Sequence, residues 1–518
     1  MTFSELKVGQ KASVQKTFTA ADVTAFAGIS LDVNPIHMSD GYAKETIFGK
    51  RIVHGILTSG LISAVLANKL PGPGTIYLGQ ELRFTAPVFL GDDVKAEVEI
   101  AEIREDKKII KLNTTCTKQD GTVVITGMAT VKFNGYTEDI MADFKSVLFE
   151  QMIKDFAENE VKPLAQEVDE QERFPVETAE KMAKLGLFGI IIPREYGGAG
   201  GNYNMYISAV EELSKHCGTT GVILSAHTSL CAAPILEYGT EAQKQKYLPD
   251  LASGKKIGAF GLTEPNAGTD ASNQQTRAIE MEDHYLLNGS KIFITNAGYA
   301  ETYVIIAVTG KGPKGPEMSA FIVEKAFPGF SIGKKEKKMG IRGSSTCELI
   351  FENVKVPKEN MLGKRGDGFK IAMKTLDGGR VGIAAQALGI AEGALQSTIA
   401  YVKSRKQFGK SISGFQNTQF VLADLATRVE AAKLLVYAAV DAKQNKLPTL
   451  SVKAAQAKLY AAETAMEVTT KCVQLHGGYG YTREYPIERM MRDAKITEIY
   501  EGTSEVQRMV ISGALLRK

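Results

Sequence analysis

The sequence predicts an α+β multidomain chain, and three observations predict it. Within the first 135 residues, Val94, Ala96, Val98 and Ile100 alternate with Lys95, Glu97 and Glu99, the mark of a half-buried strand. From about 145 onward apolar residues recur at helical spacing, and strand-like runs replace them from about 259 to 365. After that the helical spacing returns to the end. Helices, a sheet and helices again, behind a separate N-terminal sheet, is an α+β layout. The 518 residues leave room for about three to five structural units.

The elements follow in order. Leu57, Leu61 and Val65, with Ile62, Leu66 and Leu70, predict a helix over 56–70 with a wide apolar face, hence buried. The runs Ile109–Thr117 and Thr122–Phe133 flank the turn Lys118–Gly121, a hairpin signal. One long buried helix wrapped by an antiparallel sheet is the economical reading of residues 1–136. The pattern breaks near Asn134-Gly135, so 137–145 reads as a linker. A helical domain is expected over 146–258, with a loop at 193–201. A β domain follows over 259–365, with strands at Tyr303–Val308, Ser319–Val323 and Cys347–Phe351. A second helical domain fills 366–518. Its long helix over 421–445 places Leu422, Leu425, Val429, Ala432 and Val436 on one face.

Composition narrows the function classes. The 62 basic and 59 acidic residues balance to +3, which argues against nucleic acid or an acidic membrane surface as the main partner. Five cysteines, an odd number with no CxxC pair, suit neither a disulfide framework nor a zinc cluster. A reducing, cytoplasmic compartment is therefore expected. No window holds 18 uninterrupted apolar residues, so no spanning helix is expected.

Two constellations carry chemistry. In the first, Asp32 and His37 flank Asn34-Pro35, a turn that lets both side chains converge on one point. A carboxylate beside an imidazole can bind and polarise a water between them. The same pair also serves, elsewhere, as ordinary loop caps. Downstream, Gly55 opens the buried helix, where an exposed backbone N–H can polarise a carbonyl. His54 is a second candidate, although its place beside the apolar helix favours packing.

The second constellation is spread over the rest of the chain. Phe260–Asp270 is a loop of small and hydroxyl residues that can approach a flat polar ring. Lys291–Asn296 offers Phe293 and Thr295 two apart, on one face if the segment is a strand. Arg405–Gly409 and Gln474–Gly480 supply a cation and a glycine-rich turn suited to a pyrophosphate. Neither is a GxGxxG fingerprint after a strand, so no Rossmann site is indicated. His476 has no carboxylate or histidine at ligand spacing, so no metal is expected. Near the end, Glu501 stands between Tyr500 and Gly502 amid apolar neighbours. Burial would raise its pKa into the range of a useful base.

The motifs Asp32-x-Asn34-Pro35-x-His37, Tyr42-Ala43 and Arg51–Gly55 resemble the signature of the MaoC-like (R)-specific enoyl-CoA hydratases. The likeness continues through Tyr77–Gln80 and Pro87–Asp92. It covers essentially residues 1–133 and implies a hot-dog fold, commonly dimeric. Asp32 and His37 would be the catalytic pair and Gly55 the oxyanion donor. Ser63 falls where that family has a serine near the active site.

From about 143 to the end, LTEPNAGTD, KIFITN, RKQFG, QLHGGYGY and RMMRDAKITEIYEGTSEVQR resemble the acyl-CoA dehydrogenases, short-chain butyryl-CoA types above all. That resemblance implies a helical domain, a β domain and a helical bundle, and flavin adenine dinucleotide (FAD) as cofactor. Glu501 would remove the α-proton of an acyl thioester while the β-hydride passes to the flavin. Thr263, Thr269, Phe293, Thr295 and Thr503 would meet the flavin end. Arg405, Phe408, Gln416, Gln474, Gly477 and Gly478 would hold the pyrophosphate and adenine, partly across a subunit interface. Asp377, Arg380 and Gly502 would bind substrate. Some relatives place the base within the Leu376–Arg380 segment, which holds glycines here. A tryptophan is common where Phe293 stands, and this chain has none.

Together the two resemblances imply a bifunctional enzyme acting on 2-enoyl-CoA and acyl-CoA thioesters. They also imply electron transferring flavoprotein as redox partner and a homo-oligomer, dimer or tetramer. A non-catalytic CoA-binding or assembly role for the first domain is the alternative, and an oxidase passing electrons to oxygen is a second one.

Overall fold

The computed structural model describes residues 3–133, 138–312 and 315–516. The chain forms two compact units, Met1–Ser146 and Val147–Lys518. The break expected at Asn134-Gly135 lies outside the described residues. The span read as a linker is helical from Glu138, in the helix Glu138–Phe156.

In the first unit five antiparallel strands lie in the order β1-β3-β4-β5-β2. They are β1 (Lys11–Thr17), β2 (Thr75–Phe84), β3 (Asp93–Arg104), β4 (Ile109–Lys118) and β5 (Val123–Phe133). The alternation in β3 sends Val94, Ala96, Val98 and Ile100 inward, all buried. Val98 lies opposite Ala12 of β1 and Thr114 of β4. The helix Gly55–Asn68 crosses this face and buries Thr58, Ile62, Val65 and Leu66. It stops two residues short of the expected end. Leu57 and Leu61 are only partly covered, so the buried stripe is narrower than the apolar pattern. Ile62→Ala should lower stability by about 2–5 kcal/mol, read as an earlier denaturant midpoint, because the site is fully enclosed.

In the second unit a mostly antiparallel sheet packs one face on helices and encloses a core of strand residues on the other. Its strands are β6 (Ile257–Gly261), β7 (Arg277–Glu280), β8 (His284–Ile294), β9 (Ala300–Gly312), β10 (Gly315–Glu324), β11 (Phe330–Lys335), β12 (Cys347–Pro357) and β13 (Met361–Leu362). The order is β11-β12-β8-β7-β9-β10-β13, with β6 parallel to β9. The unbroken apolar run in β9 has a direct cause: both its faces are buried. Tyr303, Ile305 and Ala307 face one cluster, and Val304 and Ile306 face another.

Four long helices form the main core: Tyr203–His216, Gly368–Ser404, Gln416–Gln444 and Leu450–His476. Leu425, Val429, Ala432 and Val436 are buried in it, as their spacing predicts. Two glycines let the first two helices approach closely. A Cβ at Gly389 would sit 2.2 Å from the Glu211 carbonyl oxygen, and one at Gly393 would sit 2.0 Å from that of Lys215. Among the described residues, Gly218–Tyr238 is the one helical span long and apolar enough to cross a membrane, and 94% of its most apolar window is buried inside the fold.

Candidate active sites

The loop Phe260–Asp270, the end of β8 and the segment around Glu501 open onto one cavity of about 620 Å3. Thr263, Thr269, Phe293, Thr295, Arg380, Glu501, Gly502 and Thr503 all line it. The arrangement of Phe293 and Thr295 differs from the expectation of one strand face. β8 ends at Ile294, and Phe293 is already in the left-handed region at φ 59°. The alternation breaks there, yet both residues reach the cavity.

The loop is anchored from beneath by a buried ion pair that the sequence reading passes over. Lys291 is fully buried, and its ammonium lies 2.6 Å from Glu264 and also donates to Gln274. The Glu264 carboxylate accepts from the backbone N–H groups of Gln275 at 2.6 Å and Thr276 at 3.0 Å. Burial opposes its charge, but Lys291 and these donors hold it below the usual carboxylate range. Burial pulls Lys291 down to about 8 against the attraction of Glu264. Lys291→Met should leave Glu264 buried and unpaired at a cost of about 3–5 kcal/mol. The measurement is flavin retention through gel filtration, with wild-type retention as the outcome against it.

Glu501 sits on the turn between the helices Ile487–Thr497 and Ser504–Leu516, at φ 56° with Gly502 at φ 87°. Its Oε2 is buried and takes no hydrogen bond. Burial raises its pKa to about 7, with Arg380 and Lys458 pulling the other way. The helix opposite makes room for it, since a Cβ at Gly379 would lie 2.5 Å from Oε2. An unpartnered carboxylate with its pKa raised to about 7, on the wall of this cavity, is equipped to take a proton from a bound molecule.

Asp377 differs from Arg380 in placement. It lies behind Arg380 rather than on the cavity wall, buried, accepting from Arg380 at 2.9 Å and from the Ser451 hydroxyl at 3.0 Å. With its Oδ1 engaged by both, it braces the Arg380 guanidinium.

Arg405, Phe408, Gln416, Gln474, Gly477 and Gly478 do not line this cavity. All are exposed in the single chain. The Arg405 guanidinium lies over the Tyr479 ring at 5.5 Å, which brings the RKQFG and QLHGGYG segments together. The strands Lys406–Gln407 and Lys410–Ser411 form a hairpin turned by Phe408 (φ 53°) and Gly409 (φ 76°), and Phe408 is 93% exposed.

In the first unit Asp32, His37 and His54 offer ligand atoms that all lie within 4.8 Å of one another. Asn34 caps the short helix Pro35–Met38, which carries His37. His37 Nδ1 lies 2.8 Å from the Ile52 carbonyl, so it carries the proton and leaves Nε2 as acceptor. Gly55 begins the next helix, and the Phe84 ring lies so close that a Cβ there would sit 2.7 Å from it.

His54 is more than packing. Its Nε2 donates to the Asp32 carbonyl at 2.9 Å, its ring lies against His37, tilted by 31° with centroids 3.9 Å apart, and its buried Nδ1 has no partner. The signal was its adjacency to Gly55. These three groups are also close enough to ligate a cation, a possibility the sequence reading did not raise.

Ser63 is the exception. It stands eight residues beyond Gly55, about 12 Å along the helix axis, with its side chain exposed. Within this chain the helix carries it away from Asp32 and His37.

Comparison with known proteins gives these sites a family. Residues 145–255, 259–354 and 366–516 match the N-terminal, middle and C-terminal domains of acyl-CoA dehydrogenases, and residues 3–122 match the MaoC like domain. The short-chain specific acyl-CoA dehydrogenase of Clostridium acetobutylicum is 65% identical over 372 residues, covering 71% of this chain and 97% of that protein. The caffeyl-CoA reductase-Etf complex subunit CarC of Acetobacterium woodii is 50% identical, covering 72% of this chain and 98% of that one. The solved butyryl-CoA dehydrogenase of Megasphaera elsdenii superimposes with a TM-score of 0.70 at 54% identity, over 72% of this chain and 98% of that one. An acyl-CoA dehydrogenase of Bacillus anthracis solved with FAD gives a TM-score of 0.68 at 35% identity, over 72% of this chain and 68% of its own. The hydroxyls of Thr263, Thr269, Thr295 and Thr503, an aromatic ring and an unpartnered carboxylate on one cavity suit a flavin with a reacting acyl chain beside it. The chain therefore belongs to the acyl-CoA dehydrogenase family, an FAD-dependent oxidoreductase of the short-chain kind preceded by a MaoC-like hot-dog domain.

Proposed function

We propose that the chain is bifunctional. Its second unit dehydrogenates butyryl-CoA and similar short acyl-CoA thioesters, or reduces the corresponding enoyl-CoA. Its first unit reversibly hydrates 2-enoyl-CoA to (R)-3-hydroxyacyl-CoA. The observation that carries the dehydrogenase step is the Glu501 carboxylate, unpartnered and raised to about 7, on the cavity wall. Glu501 takes the α-proton. Its own backbone N–H polarises the thioester carbonyl, which makes that proton acidic enough. FAD, when bound, accepts the β-hydride. Thr263, Thr269, Phe293, Thr295 and Thr503 hold the flavin end, and Arg380 and Gly502 flank the thioester. Arg405, Phe408, Gln416, Gln474, Gly477 and Gly478 hold the pyrophosphate and adenine, with a neighbouring subunit supplying part of the set. Their exposure in the single chain supports that division.

For hydration, Asp32 and the free Nε2 of His37 orient a water toward C3 of the enoyl chain, while the Gly55 N–H polarises the thioester carbonyl. The convergence of Asp32, His37 and His54 supports this reading. Both units then act on the same 2-enoyl-CoA. The tether raises the local concentration of the second site, into the millimolar range at best. Electron transferring flavoprotein is the proposed redox partner, supported by the CarC relative, whose name places it in an Etf complex. A homo-oligomer in a reducing cytoplasm is the proposed setting, and the five buried free cysteines fit it.

The test is incubation of the purified protein with (R)- and (S)-3-hydroxybutyryl-CoA and a reductant. Butyryl-CoA should form from the (R) isomer alone. Butyryl-CoA from crotonyl-CoA but from neither hydroxy isomer would leave the first unit a CoA-binding or assembly module.

A further inference from the structure

Behind the Glu501 turn lies a fully buried lysine that the proposed chemistry does not use. Lys458 comes from the helix Leu450–His476, where it stands among alanines. Its ammonium donates to the Gly502 carbonyl at 2.7 Å. Gln507 donates to the same carbonyl at 2.8 Å and to the Glu501 carbonyl at 3.1 Å. Two donors, one charged, thus grip a turn whose residues both sit at positive φ. A non-glycine residue holds that conformation only where its surroundings impose it. No ion pair joins Lys458 to the Glu501 carboxylate among the described residues, so the carboxylate stays free to react.

We infer that Lys458 is the positioning residue for the base. It fixes the left-handed Glu501–Gly502 turn and keeps a positive charge behind the carboxylate without contacting it. This rests on the reading of Glu501 as the base. Burial draws Lys458 down to about 8 while Glu501 opposes that fall, which agrees with a charge shared across the turn. The other groups facing the pair are Arg380 from the Gly368–Ser404 helix, Tyr206 from the Tyr203–His216 helix, and Tyr500, Glu498 and Glu505 on the adjoining chain. Glu336, Lys337, Lys338, Arg492 and Lys495 stand on the cavity wall. Lys458 differs from all of these in being buried and bonded to the turn itself.

The experiment is stopped-flow reduction of the flavin-loaded protein by butyryl-CoA across pH, in wild type, Lys458→Met, Lys458→Arg, Gln507→Leu and Glu501→Gln. Lys458→Met should slow reduction roughly 10- to 100-fold at neutral pH and raise the pH midpoint by about one unit. Lys458→Arg should restore the midpoint. Gln507→Leu removes only a neutral donor, so its rate should fall while the midpoint stays. An unmoved midpoint in Lys458→Met would overturn the inference. If that variant fails to fold, a midpoint shift of the expected size in Gln507→Leu would overturn it equally, by assigning the effect to turn geometry. Rapid reduction in Glu501→Gln would instead sink the assignment of the base, a separate failure.

Discussion

Glu501→Gln should retain flavin and bind butyryl-CoA, yet lose flavin reduction by about 10³-fold or more, within the range of general-base contributions. The amide keeps the size and half the hydrogen-bonding capacity of the carboxylate but cannot accept the α-proton. Stopped-flow bleaching of the flavin reads this directly. In wild type the same assay should show the rate constant rising with pH through about 7. The sign follows from the base being active when ionised: burial has raised its pKa, so more carboxylate is available as pH climbs past that value. A flat profile between pH 5.5 and 8.5 would count against the assignment.

Asp32→Asn should abolish hydration of crotonyl-CoA, by about 10²- to 10⁴-fold, while leaving the dehydrogenase rate intact. The two units are separate compact bodies with separate cores, so damage to one site need not reach the other. His54→Phe sharpens the result. Phenylalanine keeps a ring against His37 but removes the hydrogen bond to the Asp32 carbonyl. Hydration should fall, by less than in Asp32→Asn, because the Asp32 carboxylate survives but its backbone loses a tether. Chiral analysis of the 3-hydroxybutyryl product monitors both. Full hydratase activity in Asp32→Asn would remove Asp32 from the hydration chemistry.

Much of this was legible in sequence because period and placement agree. β3 alternates because one face is covered, and β9 is continuously apolar because both are. Loop and turn motifs named the cavity residues, since short hydroxyl and glycine segments have few alternative uses together. Support from behind the site was harder to read. Lys291, Lys458 and His54 are polar residues with no partner marked in the sequence, and only the three-dimensional partner distinguishes a tether from a surface charge. Ser63, exposed along its helix, and Asp377, bonded to Arg380, show a related limit of sequence reading. Proximity in a motif does not say which way a helix turns its side chains.

The longest helix, Gly368–Ser404, contains Gly378, Gly379, Gly382, Gly389 and Gly393. Each glycine disfavours helix by roughly 1 kcal/mol relative to alanine. The segment is thus a reluctant helix, shaped by its neighbours rather than by its own preferences. Excised as a 37-residue peptide it should be largely coil in water by circular dichroism. In the intact chain its winding and the assembly of the bundle are then one event, so the berth for the Glu501 carboxylate exists only once the whole helical layer has closed.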